Sequence, residues 1–211
     1  MQWTLVIPLK PLARAKSRLA ATAGDGLRPG LALAFAQDTV AAAVACPAVR
    51  DVAVVTDDAL ARRELSALGA RVVPDAPRAG LNAALRHGSA AVRAGRPEAA
   101  VAALNADLPA LRPRELARAL DRATHFPRAF LPDTAGMGTT LLTAAAGTEL
   151  SPVFGTDSRA RHAASGAVEM ALEGVDSVRQ DVDTGDDLRA ALALGVGPRT
   201  AAAAARLLIA D

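Results

Sequence analysis

Four short β-branched or apolar runs alternate with helix-patterned stretches through the first 125 residues, and that alternation limits the fold more than any other feature. The runs are WTLVI (3–7), DVAVVT (51–56), ARVVP (70–74) and AAVAALNADLP (99–109). Between them lie a long Ala/Leu pattern from Pro29-Gly30 to Ala45, then DALARRELSALG, LNAALRHGSAAVRAG and PRELARALDRAT. Gly69 closes the second of these helices, Gly88 weakens the middle of the third, and Pro113 suits the first turn of the fourth. Strands that alternate with helices in this way predict a mainly parallel sheet covered on both faces. After residue 125 the rhythm changes. RAFLPD and MGTTLLTA predict two strands about the turn at 134–136, SPVFGTDSRARHAAS a loop running into a helix, and AVEMAL a short strand. TGDDLRAALALG and PRTAAAAARLLIA predict terminal helices, and the second half reads as antiparallel additions that cover the ligand side. The fold class expected is a single α/β domain over 1–211, a mixed, mostly parallel sheet between helices.

Composition removes several functions. With 24 basic and 22 acidic residues the net charge is +2, too even for a nucleic-acid binder. No Tyr and one Trp leave no platform for stacking bases. Cys46 is alone, which excludes a disulfide framework and a cysteine metal cage. The most apolar stretch, LALAFAQDTVAAAVAC, is broken by Gln37 and Asp38, so no membrane span is expected. MQWTLVIPLK has neither a basic lead-in nor a cleavage site, and a cytoplasmic location is the expectation.

In open parallel sheets ligands bind beyond the carboxyl ends of the strands. The residues leaving those ends are Pro8 to Arg18, Thr56-Asp57-Asp58, Pro74-Asp75 and Asn105-Ala106-Asp107. The first end is basic, with Lys10, Arg14, Lys16 and Arg18; the third and fourth are acidic. Cations facing carboxylates at one edge are what a polyphosphate with Mg²⁺ requires, although a solvated turn would also explain the basic loop. Asp107 before Leu-Pro is equally ordinary turn chemistry. QDVDTGDD shifts the balance. On an extended stretch Asp181 and Asp183 share one face while Val182 points inward, and Thr184 with Asp187 forms a capping box. Helix capping and the helix dipole thus account for Asp186 and Asp187 but not for Asp181 and Asp183. Three such carboxylates could hold one or two hard cations. GMGTT (136–140) lacks the third glycine of a dinucleotide fingerprint. Gly155 and Ser158 stand at a helix N-terminus, which suits an anion, or in Ser158's case simply a cap. The histidines at 87, 125 and 162 are too scattered to suggest a metal site, and His87 reads as structural or exposed.

VIPLKPLARAKSRL, DTV at 38–40, VVTDD, DAPRAGLNAAL, NADLPAL, LPDTAGMGTTLL, FGTDSRARH and DVDTGDDL, in this order over nearly the whole chain, resemble the CofC/FbiD family of guanylyltransferases. The resemblance implies a GT-A-type nucleotidyltransferase fold and transfer of GMP from GTP to a small phosphorylated three-carbon acid, in coenzyme F-420 biosynthesis. It implies phosphoenolpyruvate as that acid for the actinobacterial branch, with 2-phospho-L-lactate or 3-phosphoglycerate as alternatives. It also assigns residues. Asp107, Asp181 and Asp183 would hold Mg²⁺. Thr140, Gly155 and Ser158 would surround the acid. Lys10, Lys16 and Arg18 would neutralise the triphosphate, with Asp75, Gly80 and Asn82 lining the nucleotide pocket. Lys16 and Asp107 carry the catalytic roles. Neither nucleic acid nor membrane is an expected partner; a homodimer stays open, and the product is expected to pass to the next enzyme of the pathway. The Asn-Ala-Asp stretch disfavours a glycosyltransferase, which would show a DxD there. The first loop lacks the glycines expected of a molybdopterin guanylyltransferase. A non-catalytic nucleotide-binding domain on the same fold is the alternative from another class.

Overall fold

The computed structural model describes residues 1–207 and, within them, the side chains of all but residues 17, 20–23 and 25. Among these residues seven strands form one sheet in the order β3-β2-β1-β4-β6-β5-β7. The strands are β1 (Trp3–Pro8), β2 (Val49–Val55), β3 (Arg71–Val73), β4 (Val101–Leu104), β5 (Arg128–Pro132), β6 (Thr139–Ala144) and β7 (Val168–Glu169). β1 pairs in parallel with β2 and with β4, Ile7 opposite Val54 and Val6 opposite Ala103. β6 runs antiparallel to both β4 and β5. β7 returns parallel to β5, so a single strand among those described runs against the rest. The expectation of several antiparallel additions is therefore corrected: only β6 is one, inserted between β4 and β5.

Among the described residues eight α-helices complete the fold: α1 (Ala20–Val44), α2 (Ala59–Ser66), α3 (Leu81–Gly95), α4 (Pro113–Ala123), α5 (Ser158–Ala164), α6 (Asp176–Arg179), α7 (Gly185–Leu194) and α8 (Pro198–Ala205). α1 begins at Ala20, well before the Pro29-Gly30 expected to open it; Gly24, with a φ of 64°, interrupts it, and the helix resumes beyond with Pro29 inside. The last helix was expected through Ala210; residues 208–211 lie outside those described.

Alternation on the strands sorts the core into two layers. Trp3, Leu5 and Ile7 of β1 pack with α1, α2 and α4, while Val6 joins Ala84, Leu85 and Val92 of α3 on the opposite face. Gly88 lets α3 lie close: a Cβ there would meet Val55 and Val6 side chains at 2.6 Å. No helix among the described residues is long and apolar enough to cross a membrane.

Candidate active site

Because β1 to β4 are parallel, their carboxyl ends share one edge, and β6, running the other way, starts there with Thr139 and Thr140. The sequence places Asp107 at the end of the fourth predicted strand. It lies instead three residues beyond the end of β4 at Leu104. The ladder continues one step further, Asn105 N–H donating to Thr140 O at 3.0 Å. Leu108 N–H then turns away to Thr39 Oγ1 at 3.0 Å, and Pro109 has no N–H to continue the strand. Thr39 is fully buried and donates in turn to Phe35 O at 2.8 Å. In the sequence this anchor shows as the polar pair Asp38-Thr39 inside an apolar helix, Asp38 reading as part of the break in hydrophobicity and DTV as one of the family-like segments. Asp38, also buried, accepts from Thr200 N–H at 2.7 Å and so ties α8 to α1.

Asp107 O accepts from Val182 N–H at 3.1 Å, which docks the 181–183 segment beside it. Val182 is buried, as the alternation expected, while Asp183 is exposed and Asp181 half-buried. Lys16 Nζ donates to Asp107 Oδ2 and, at 2.8 Å, to Asp183 Oδ1. One ammonium thus joins residues 91 and 167 positions away in sequence. Burial alone would lower the Lys16 ammonium, but the Asp107 and Asp183 carboxylates more than offset it and hold the group above its ordinary value. Burial would raise Asp183, and Lys16, with Arg18 and Lys10 further off, holds it below the usual carboxylate range. For Asp181 the Lys16 charge also pulls downward, but too weakly to win. Burial first, then the Asp107 and Asp183 charges, push it well above that range. Thr184 and Asp187 form the expected capping box on α7, and Asp187 also accepts from Asp183 N–H at 3.1 Å.

The fit of a metal ion here can be judged from the donors. Among the described residues no group of three or more His, Cys, Asp or Glu side chains is set to hold one, and the cation shared by Asp107 and Asp183 is the Lys16 ammonium. Asp107 Oδ1, however, is buried without a hydrogen-bond partner, beside an Asp181 that burial and then the Asp107 and Asp183 charges push well above the usual carboxylate range. Hard oxygen donors in excess of the available positive charge fit a hard divalent cation.

The loop that delivers Lys16 is held from below. Leu12 N–H donates to Asp58 Oδ2 at 2.9 Å, and Arg28 donates to Ala13 O at 3.1 Å and to Ala15 O. Lys16 itself adopts a φ of 56°, a left-handed conformation unusual for a side-chain-bearing residue. Lys10 and Arg18 are exposed on the same rim. Asp75 and Gly80 stand in a second group, on the loop between β3 and α3. Asp75 accepts from Arg78 N–H at 3.3 Å and donates its own N–H to Asp57 at 3.1 Å. Gly80 precedes α3 with a φ of 91°, which glycine alone adopts without strain. The Asn82 amide is bound to the Phe154 backbone through both its donor and its acceptor.

Of the expected acid-side residues, Thr140 lies near the start of β6, Gly155 in the loop before α5 and Ser158 in the first turn of α5. Thr140 is fully buried, and its Oγ1 has no partner. The Met137 and Gly138 amides of GMGTT are taken by the chain's own Asp133, at 3.0 and 2.8 Å. Gly138 is required there, because a Cβ would run into that carboxylate. In the sequence Asp133 reads only as the last residue of the strand RAFLPD, with no role assigned to it. His162 of α5 joins the two segments. Its Nε2 accepts from Val153 N–H at 3.1 Å, which places the ring proton on Nδ1, facing Thr139 Oγ1 at 2.9 Å. Burial, then Arg128 and Arg161, push His162 down to about 4, so it is neutral and structural.

A family model described as CofC-like guanylyl transferase matches residues 3–204, essentially all of the architecture above. The chain belongs to that family. A phosphoenolpyruvate guanylyltransferase of Streptomyces coelicolor is 80% identical over 210 residues, covering 100% of this chain and 99% of the relative. One from Streptomyces avermitilis is 79% identical, covering 99% and 97%. Among solved structures, a nucleotidyl transferase from Methanothermobacter thermautotroptrophicus superposes with a TM-score of 0.64 at 21% identity, covering 92% of this chain and 97% of that one, a likeness of fold. In this CofC-like chain the expected phosphate-side lysine and the expected carboxylates meet at one point, although the loops that carry them are far apart in sequence.

Proposed function

We propose that the chain transfers GMP from GTP to phosphoenolpyruvate, giving enolpyruvyl-2-diphospho-5'-guanosine and pyrophosphate, as a step of coenzyme F-420 biosynthesis. The observation that carries this reading is the junction of Lys16 with Asp107 and Asp183 at the strand-end edge, in a chain 80% identical to a relative that bears that activity's name. Lys10, Lys16 and Arg18 line the triphosphate side, with Asp75 and Gly80 on the rim toward the nucleoside. Thr140, Gly155 and Ser158 form the acid side, where the unpartnered Thr140 hydroxyl is a ready donor to a carboxylate.

A phosphate oxygen of the acid attacks the α-phosphorus of GTP in line. The new P–O bond forms as the bond from the α-phosphorus to the bridging oxygen of the β-phosphate breaks, and the electron pair leaves with pyrophosphate. A phosphate dianion is already nucleophilic near neutral pH, so no side chain has to take up a proton. Lys16 supplies positive charge where negative charge accumulates on the transferring group. Asp107, Asp181 and Asp183 would hold Mg²⁺, which when bound supplies further charge neutralisation and orientation of the phosphates.

Pyrophosphate release with each of four nucleotides against phosphoenolpyruvate, 2-phospho-L-lactate and 3-phosphoglycerate, with Mg²⁺ present, tests the reading. GTP with phosphoenolpyruvate should give the highest kcat/KM. A higher value with another acid would overturn the acid assignment, and no release with any pair would overturn catalysis itself.

A further inference from the structure

The Asn82 amide makes the pairing that a neighbouring strand would make with one residue. Its Nδ2 donates to Phe154 O at 3.0 Å, and its Oδ1 accepts from Phe154 N–H at 2.8 Å, across 72 positions of sequence. Asn82 lies in the first turn of α3, a helix seated on the sheet through Ala84, Leu85, Gly88 and Val92. Phe154 packs in the same apolar layer as Ala84 and Leu85 and is followed at once by Gly155. Val153, just before it, is held by His162 from the other side. The segment so suspended contains three residues in left-handed backbone: Ser151 (φ 45°), Gly155 (φ 119°) and Asp157 (φ 53°). Conformations of that kind persist only where surrounding contacts fix them.

We infer that Asn82 is a positioning residue that couples the two halves of the site, fixing the Phe154-Gly155 backbone to the first turn of α3. It acts on the acid substrate through Gly155 and Ser158 and does not reach the nucleotide through its side chain. The asymmetry follows from the packing. α3 is anchored along its length, so removing the amide leaves the helix in place and releases the loop. This rests on the reading of Gly155 and Ser158 as the acid side.

The test compares the parent with Asn82→Ala and Asn82→Asp by three measurements. These are equilibrium binding of a fluorescent GTP analogue without acid, KM for phosphoenolpyruvate, and hydrogen exchange at the Phe154 amide. Asn82→Ala should raise the acid KM about tenfold, the order expected from losing hydrogen bonds that hold a loop. GTP-analogue affinity should stay within about twofold of the parent, and the Phe154 amide should exchange about tenfold faster. Asn82→Asp, equal in size, keeps the acceptor for Phe154 N–H and loses only the donor. It should retain most of the protection with a smaller rise in KM, and it carries the test if the alanine variant does not fold. A loss of GTP-analogue affinity as large as the rise in acid KM overturns the inference, as does unchanged exchange at Phe154 or an unchanged acid KM. If the parent turns over another of the three acids, KM is read for that acid. If it turns over none, the proposed reaction fails, while exchange at Phe154 still decides whether the amide holds the loop.

Discussion

Lys16 does at residue scale what the basic loop as a whole could not be shown to do from sequence. Of the four cations between Lys10 and Arg18, it is the one whose ammonium reaches both Asp107 and Asp183. Spacing could not single it out, because that reach depends on a left-handed backbone at Lys16 and on the Arg28 and Asp58 contacts below it. Replacing Lys16 by Met leaves Asp107 and Asp183 without their shared cation. Half-exposed Asp183 is partly screened by water, so the cost should be near ~2 kcal/mol, below that of breaking a fully buried pair. Thermal unfolding in EDTA should show the Lys16→Met midpoint several degrees below that of the parent. Millimolar Mg²⁺ should recover more of the midpoint in the variant than it adds to the parent. An equal Mg²⁺ shift in both proteins would sink the shared-carboxylate reading. Asp107→Asn is the complementary change. It keeps the turn, which is held by Thr39 and by the backbone to Val182, and removes the charge. Turnover should fall by on the order of 100-fold or more with little change in unfolding midpoint. Near-normal kcat/KM in that variant would remove Asp107 from the site.

At the scale of elements, the sequence disclosed the strands and helices wherever one period ran without interference. α3 and the first turn of α4 fall where the pattern puts them, and the capping box on α7 is read directly from TGDD. Departures occur where a distant partner decides. β4 ends at Leu104, and beyond it Leu108 N–H is claimed by Thr39 on α1, a partner that nothing within AAVAALNADLP announces. β6 enters between β4 and β5 because a hairpin can reach either neighbour, a choice made by tertiary packing and not by the strand's own residues. Gly88 shows the same division of information. In the sequence it is a defect worth about 1 kcal/mol of helix propensity. In the fold it is the surface on which α3 meets β1 and β2. Gly88→Ala would recover that propensity but force a methyl to 2.6 Å from both Val55 and Val6, and overpacking of this kind costs about 1–3 kcal/mol. The substitution should therefore leave stability unchanged or lower it by up to about 2 kcal/mol in urea unfolding, where propensity alone predicts a gain. A more stable Gly88→Ala protein would show that α3 has room to shift.

Across the whole molecule, the parallel topology gathers the candidate residues at one edge, and that much was legible from the alternation of strands and helices. What was not legible is how the halves of the site are joined. The Lys16 contacts and the Asn82 clasp on Phe154 span 72 to 167 positions and leave no local pattern. His162 is another such joint. Scattered in sequence from the other histidines, it connects β6 to the loop before α5 as a neutral ring between Phe130 and Phe154. Its folded-state value of about 4 lies below the ordinary 6.5, so between those limits the unfolded chain binds the extra proton. The stability it contributes is fully present above pH 6.5, declines as the pH falls through that window, and is gone below about 4. Integrated over the shift, the effect is at most about 3 kcal/mol. Urea unfolding from pH 7 down to 4.5 should therefore show the parent losing stability steadily, ahead of most carboxylate titration. His162→Gln should be less stable at pH 7 yet lose less on acidification, because the residue that must take up the proton is absent. Parallel pH profiles for the two proteins would mean that the acid sensitivity lies elsewhere and that His162 is not the joint the geometry makes it.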